Sequence, residues 1–182
     1  MNIDNKFSLI DGYFDPKEAK EVLLNIFSSE NKLFIDEKTK FSINFGVQSN
    51  QRMEREGGGS ISLSMHLTTG QYLMKYEKKL AEGRRIIISH LNSLEHNYNF
   101  GARKIVPNAI MHEANVSVYY EAEVNDKWIF ENGISGGEKI INTFFTESVN
   151  GAGKEIQPFN KFSPYYNLFS GISFVPNKFW NA

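Results

Sequence analysis

The chain has 182 residues, of which 41% are hydrophobic and 23% are charged, and its formal net charge is −1. This hydrophobic share excludes an intrinsically disordered chain, and the near-zero charge argues against nucleic-acid binding, which depends on neutralising phosphates. The chain contains no cysteine, which excludes disulfides, thiolate zinc sites and cysteine nucleophiles. We therefore expect a single domain over residues 1–182, without a cofactor or a metal.

The apolar runs are short, and Ile86–Ile88 is among the longest. A helix needs about 20 apolar residues to cross a bilayer, and residues 1–11 have no signal-peptide pattern. We expect a soluble, cytoplasmic protein that makes no contact with a membrane. The frequent Lys, Asn, Ile and Phe residues suggest a bacterial or phage source.

The first predicted element is a helix over about 15–29. Asp15 is placed as its N-cap, Pro16 as its first residue and Glu18 at the third position, an arrangement typical of a helix start. Five apolar residues follow at spacings of three and four, which predicts one buried stripe: Ala19, Val22, Leu23, Ile26 and Phe27.

Strand patterns follow this helix. Residues 33–35 and 41–47 are predicted to pair as a hairpin across the polar segment 36–40. Residues 49–59 are predicted to form an exposed loop, since they are polar and end in three glycines. Residues 61–67 alternate between apolar and polar side chains, which predicts another strand.

The apolar spacing changes to three and four residues between Thr69 and Glu95, which predicts a long helix with a flaw at Gly83. In the alternative interpretation Arg84–Ser89 is a strand, because three consecutive isoleucines favour β-structure. Strict alternation over 116–124 and the apolar residues 128–130 predict a hairpin.

A helix over about 136–147 is predicted next, with Ser135 as N-cap, Glu138 at the third position and an apolar face: Ile140, Ile141, Phe144 and Phe145. The segment 148–182 is interpreted as a loop-like tail that packs on the domain or on a partner, because it is rich in aromatic residues. The predicted fold class is α+β, a mainly antiparallel sheet packed against an N-terminal helix and a long central helix.

The segment 134–139 reads Ile-Ser-Gly-Gly-Glu-Lys and resembles the signature loop of ABC-type ATPases. In that family the serine and glycine amides contact a nucleotide phosphate at a helix start, where exposed N–H groups attract anions. The resemblance implies an anion site at Ser135, Gly136 and Gly137. The alternative is an ordinary capping box, and the chain lacks the Walker A and Walker B segments of the family.

Glu121 and Glu123 stand two apart on a predicted strand, so both side chains point to one face. Together with an upstream arginine and the alternating serines at 60, 62 and 64, this order resembles ADP-ribosyltransferases of the Arg–Ser–Glu type. The resemblance implies catalytic roles for Glu121 and Glu123. Separately from it, a hydrolytic or metal site could assemble from distant residues, for example His112 with Glu121. The alternative is that the glutamates belong to the solvated face of a hairpin and His112 has a structural role.

The leading functional hypothesis is a non-catalytic accessory protein that binds a protein partner, or itself, through the aromatic tail. A small enzyme acting on a nucleotide or phosphate substrate is the second hypothesis. The third is a structural subunit of a phage particle or of a secretion assembly. The sequence leaves open whether the protein is an enzyme.

Overall fold

The computed structural model describes residues 2–14, 20–55, 61–101, 104, 106–125, 127–145 and 155–174. Nearly all of them belong to eight β-strands: β1 (Asn2–Phe14), β2 (Lys20–Phe34), β3 (Thr39–Arg55), β4 (Ile61–Ala81), β5 (Arg84–Asn99), β6 (Ala109–Asn125), β7 (Trp128–Thr143) and β8 (Asn160–Phe174). The strands form one sheet in chain order from β1 to β8. Every neighbouring pair is antiparallel, so the described fold is an all-β meander.

Short turns join several of the strands. Between β2 and β3, the Asp36 carboxylate accepts a 2.7 Å hydrogen bond from the Lys38 amide. Between β4 and β5, Gly83 has a φ of +64°, a left-handed conformation that glycine adopts without steric cost. Its carbonyl accepts a 2.7 Å hydrogen bond from the Glu123 amide, which ties this turn to β6.

The connection between β5 and β6 is longer and depends on Asn99, which is only 2% exposed. The Asn99 amide nitrogen Nδ2 donates to the Val106 carbonyl at 2.8 Å, and its backbone N–H donates to Asn108 Oδ1 at 2.8 Å. Both bonds satisfy polar groups that burial would otherwise leave without a partner. Asn99 therefore fixes the path of the chain between the two strands.

The predicted α+β class is wrong for the described residues, which contain strands and no helix. In the region of the first predicted helix, residues 20–34 form β2. The register of β2 places Ile26 and Phe27 on opposite faces of the sheet, so the stripe proposed for a helix is divided between two surfaces. The predicted cap at Asp15, Pro16 and Glu18 lies outside the described residues.

The prediction of a long central helix between Thr69 and Glu95 is also wrong, since β4 and β5 occupy this region. The alternative interpretation of 84–89 as a strand is confirmed. The spacing of three and four arises because the apolar residues lie on both faces of a hairpin that turns at Gly83. Leu91 and Leu94, for example, differ by an odd number of positions and face opposite sides. Short apolar runs do not separate the two periods.

The third predicted helix is wrong as well, because residues 136–143 belong to β7. Ile140 and Ile141 were assigned to one helical face but alternate across the sheet. Residues 148–182 are not simply a loop-like tail, since β8 pairs along its length with β7. Residues 49–55, assigned to a loop, extend β3, and 56–59 lie outside the described part.

The strands and hairpins predicted from strict alternation are confirmed. The hairpin of 33–35 with 41–47 is confirmed by the β2–β3 pairing, in which Phe34 faces Lys40. The strand at 61–67 is the start of β4, and the hairpin of 116–124 with 128–130 is the β6–β7 turn. Strict alternation identified these segments correctly because period 2 is specific to strands.

The described strands have no second layer packed against them, so burial is shallow. Among the residues whose burial is described (23–54, 63–101, 104, 106–125, 127–145 and 155–174), Leu63, at 7% exposure, is the one apolar side chain that is buried from solvent. A sheet normally buries one hydrophobic face against another element. In the described strands both faces of the sheet lack such an element, so the next question is how the two faces differ in chemistry.

Candidate functional site

The two faces of the sheet differ sharply in chemistry. Paired residues share a face and successive residues alternate, so the register assigns each described side chain to one of two surfaces. We call one the apolar face, which includes Phe45, Tyr72, Ile88, Val116, Ile134 and Leu168. We call the other the polar face, which includes Lys40, Glu77, Arg85, Glu121, Glu131 and Lys161.

Charge is concentrated on the polar face. Among the described side chains of the strands, the charged residues on the apolar face are Lys78, Arg84 and Glu138. The polar face carries ion pairs that link neighbouring strands, such as Lys40 with Glu77 at 2.8 Å and Arg85 with Glu121 at 2.7 Å. Cross-strand pairs of opposite charge stabilise a sheet modestly.

The best-connected polar group lies around Glu121 on β6. The Arg85 guanidinium donates to Oε2 of Glu121 at 2.7 Å and lies 4.0 Å from the Glu77 carboxylate. The Tyr119 hydroxyl lies 2.8 Å from Oε2 of Glu121 and 2.6 Å from Oε1 of Glu131. A phenol has one hydrogen, so Tyr119 donates to one of these carboxylates at a time.

These contacts change the acidity of the groups involved. Partial burial raises the pKa of Glu121, but the hydrogen bonds from Arg85 and Tyr119 and the Arg85 charge outweigh it, so the pKa is lowered. The hydrogen bond to Glu121 raises the pKa of Arg85. Burial, followed by the hydrogen bonds to Glu131 and Glu121, raises the pKa of Tyr119. Glu121 is therefore held ionised, which suits a structural ion pair better than a proton-transferring group.

Two aromatic side chains of β8 reach across β7 to contact β6. The Tyr165 hydroxyl donates to Oε1 of Glu113 at 2.9 Å, and the Phe169 ring stacks on Tyr119 with centroids 5.9 Å apart. The strand between them carries glycine at both crossing points. A Cβ at Gly137 would lie 2.8 Å from the Tyr165 hydroxyl oxygen, and one at Gly133 would lie 2.7 Å from Cζ of Phe169. The two glycines of β7 thus leave room for these side chains.

This packing explains part of the motif over 134–139. Ser135, Gly136 and Gly137 lie within β7 and pair with β6 and β8, so the helix start that an anion site requires is not present here. Ser135 accepts a 3.3 Å hydrogen bond from the Asn167 side chain. The structure thus gives Gly137 a packing role that the sequence analysis missed. The signal for this role is the pairing of a glycine with an aromatic residue, Tyr165, on the neighbouring strand.

The three proposed catalytic residues do not form one group. Glu121 and Glu123 share the polar face of β6, whereas His112 lies on the apolar face of the same strand. Nine positions separate His112 from Glu121, which is about 30 Å along a strand at 3.3 Å per residue. Ser135 pairs with Ser117, four positions from Glu121, so it is about 13 Å away on the same face.

A polar groove of about 510 Å³ lies at the end of the sheet where Glu121 and Glu123 are found. It is lined by charged residues of both signs: Lys79, Glu82, Arg84, Arg85, Glu121 and Glu123. Because Arg85 is already paired with Glu121, the groove has no strong excess of either charge. It does not select an anionic substrate.

All four histidines lie on the apolar face, in β4, β5 and β6: His66, His90, His96 and His112. Three of them have polar partners on neighbouring strands. His66 contacts Ser49 at 2.8 Å, His90 contacts Tyr72 at 3.1 Å, and His112 contacts Asn92 at 2.9 Å. These contacts place polar groups within an otherwise apolar surface.

The apolar face is widely exposed. Ile88, Leu94, Val116 and Ile134 in the middle strands are between 42% and 55% exposed. On β8, Phe162, Tyr166, Leu168 and Ile172 are between 60% and 86% exposed. Contiguous exposed apolar surface of this extent is unusual for a soluble monomer.

Comparison of the chain with protein-family models, with curated proteins and with solved structures finds no match. In the part of the chain that the structure describes, no helix is long and apolar enough to cross a membrane. Function must therefore be argued from the two faces themselves.

Proposed function

We propose that this chain is a non-catalytic interaction protein that binds a protein partner through its apolar face. The observation that supports the proposal is the separation of the two faces: charge collects on one side, and large exposed apolar side chains collect on the other. The described strands supply no second layer against this face.

The composition of the apolar face favours a protein partner over lipid. It contains His90, Asn92 and Glu138 among the aliphatic and aromatic residues. Polar groups of this kind are costly against hydrocarbon, where water cannot satisfy them. Protein interfaces, in contrast, combine aromatic residues with polar ones that form hydrogen bonds.

The arrangement of the candidate catalytic residues favours binding over the alternative of a nucleotide or phosphate enzyme. Glu121 is engaged by Arg85 and Tyr119, and His112 lies on the opposite face. On the described strands, a nucleophile, a base and an anion-binding group do not lie close together. Enzyme chemistry needs such an arrangement.

Site-specific photocrosslinking tests the proposal. A benzoylphenylalanine residue at Ile88 lies on the apolar face, and one at Ile87 lies on the polar face of the same strand. We expect Ile88 to crosslink a defined protein in the cells that express the chain, and Ile87 to crosslink it far less. Equal labelling from both positions would contradict the proposal.

The partner found in this way is then purified and its affinity is measured. Ile134→Lys should weaken binding at least tenfold, because it puts a charge into the apolar face, whereas Ser135→Lys on the polar face should leave the affinity unchanged. Flotation with phosphatidylcholine vesicles is the counter-test. Vesicle binding that Ile134→Lys abolishes would assign the face to lipid instead.

A further inference from the structure

We infer that β8 pairs with β8 of a second copy of the chain, in antiparallel orientation about a two-fold axis through Ser170. This inference concerns the edge of the sheet and is independent of the proposed function of the apolar face. In the described part of the chain β8 has one neighbouring strand, β7, so its other edge presents backbone N–H and C=O groups.

The edge lacks the features that normally prevent strand pairing. Proteins protect exposed edges with charged residues, prolines, bulges or short strands. In β8, Lys161 and Pro164 lie near one end, and the following ten residues, 165–174, contain neither a charge nor a proline. The β7–β8 register continues without a bulge through this segment. A smooth edge of this length, about 30 Å, is a template for another strand.

The side chains that border this edge are among the most exposed apolar residues of the described strands. Tyr166 is 86% exposed, Leu168 is 76% exposed and Ile172 is 62% exposed. All three project from the apolar face of β8. Pairing with another strand would cover part of each of them, in addition to satisfying the backbone.

The sequence of the edge is complementary to itself in one register. With Ser170 on the axis, Leu168 lies opposite Ile172 and Tyr166 lies opposite Phe174, so apolar residues meet apolar residues. On the polar face, the same register sets Phe169 against Gly171, a large side chain against none.

Neighbouring registers keep only part of this match. Moving the axis to Phe169 retains Tyr166 opposite Ile172 but sets Leu168 against Ser170. Moving it to Gly171 retains Leu168 opposite Phe174 but sets Ile172 against Ser170 and leaves the glycines facing each other. Of these three registers, the one about Ser170 gives both Leu168 and Ile172 an apolar partner, and this self-complementarity favours a second copy as the occupant.

Single cysteines test this pairing cleanly, because the chain contains none of its own. Ser170→Cys places the two thiols directly opposite each other, at a separation that a disulfide spans. Ser173→Cys is the matched control on the same strand, since its two copies lie six positions apart, about 20 Å. Mild oxidation should convert most of the Ser170→Cys protein to a covalent dimer and leave the Ser173→Cys protein monomeric.

Sedimentation of the unmodified full chain provides the second test. We expect a dimer that Leu168→Lys dissociates, and that Leu94→Lys, on the apolar face but away from the edge, leaves intact. A monomeric wild-type protein would overturn the inference. Equal or greater crosslinking of Ser173→Cys would overturn the register, and circular dichroism of each variant verifies that the sheet is retained.

Discussion

Tyr165 of β8 donates a hydrogen bond to Glu113 of β6 although the whole of β7 lies between the two strands. The contact exists because the intervening position, Gly137, carries no side chain. A Cβ there would clash with the Ala114 carbonyl oxygen of β6 and with the ring of Tyr165. One glycine thus couples three strands of the sheet.

Gly137→Ala is expected to destabilise the protein by about 1–3 kcal/mol, the usual range for overpacking. Gly136→Ala is the control, because a Cβ there would meet only the Tyr165 carbonyl oxygen at 3.8 Å, an ordinary contact. Urea unfolding of both variants measures the difference. Equal free energies of unfolding for the two variants would contradict the crossing geometry.

The difference in free energy of unfolding between the wild type and Tyr119→Phe should depend on pH in the alkaline range. Because the pKa of Tyr119 is raised in the folded protein, its contribution is fully present below the ordinary tyrosine value of about 10 and is lost as pH rises through the folded pKa. The stability difference between the wild type and the variant should therefore shrink only above about pH 10, in unfolding curves recorded at each pH. Tyr120→Phe, on the opposite face, is the control; a difference that does not change with pH would refute the assignment.

The difference in free energy of unfolding between the wild type and Glu121→Gln should depend on pH in the acid range. The pKa of Glu121 is lowered, so its stabilising contribution is present above the ordinary value of about 4.3 and is lost as pH falls through the folded pKa. The wild type should be more stable than the variant at neutral pH, and the two should converge below about pH 4. Glu123→Gln, on the same face but outside the Arg85 pair, should show less effect. An acid unfolding curve that Glu121→Gln leaves unchanged would exclude the pair as a source of stability.

Asn99→Ala should cost about 1–3 kcal/mol, because the Val106 carbonyl would lose its 2.8 Å bond and Asn108 Oδ1 would keep only the bond from the backbone N–H of residue 99. Asn97→Ala removes a single 3.2 Å bond to the Pro107 carbonyl and should cost less. Thermal unfolding compares the two variants. A larger loss for Asn97→Ala would show that Asn99 does not fix the connection.

The sequence predicted strands wherever strict alternation ran for several residues, as at 41–47, 61–67 and 116–124. It failed where both faces of a strand carry apolar residues, since pairs such as Ile26 and Phe27 fit a helical stripe equally well. The candidate site residues were chosen for their chemistry, but the role of Gly137 depends on Tyr165, 28 positions later in the chain. No local pattern reports such a contact.

Because the strands lie in chain order, strands can be added or lost at an end of the sheet. Each described strand pairs its backbone only with the strands that precede and follow it in the chain, and side chains such as Tyr165 and Phe169 add contacts to the next strand along. The sheet therefore resembles a one-dimensional stack, in which most of the stability comes from terms between nearest neighbours, as in repeat proteins. Removing the terminal strand exposes a new edge at β7 without disturbing the pairing of β2 to β6, so a hairpin can be gained or lost at an end while the rest of the sheet persists.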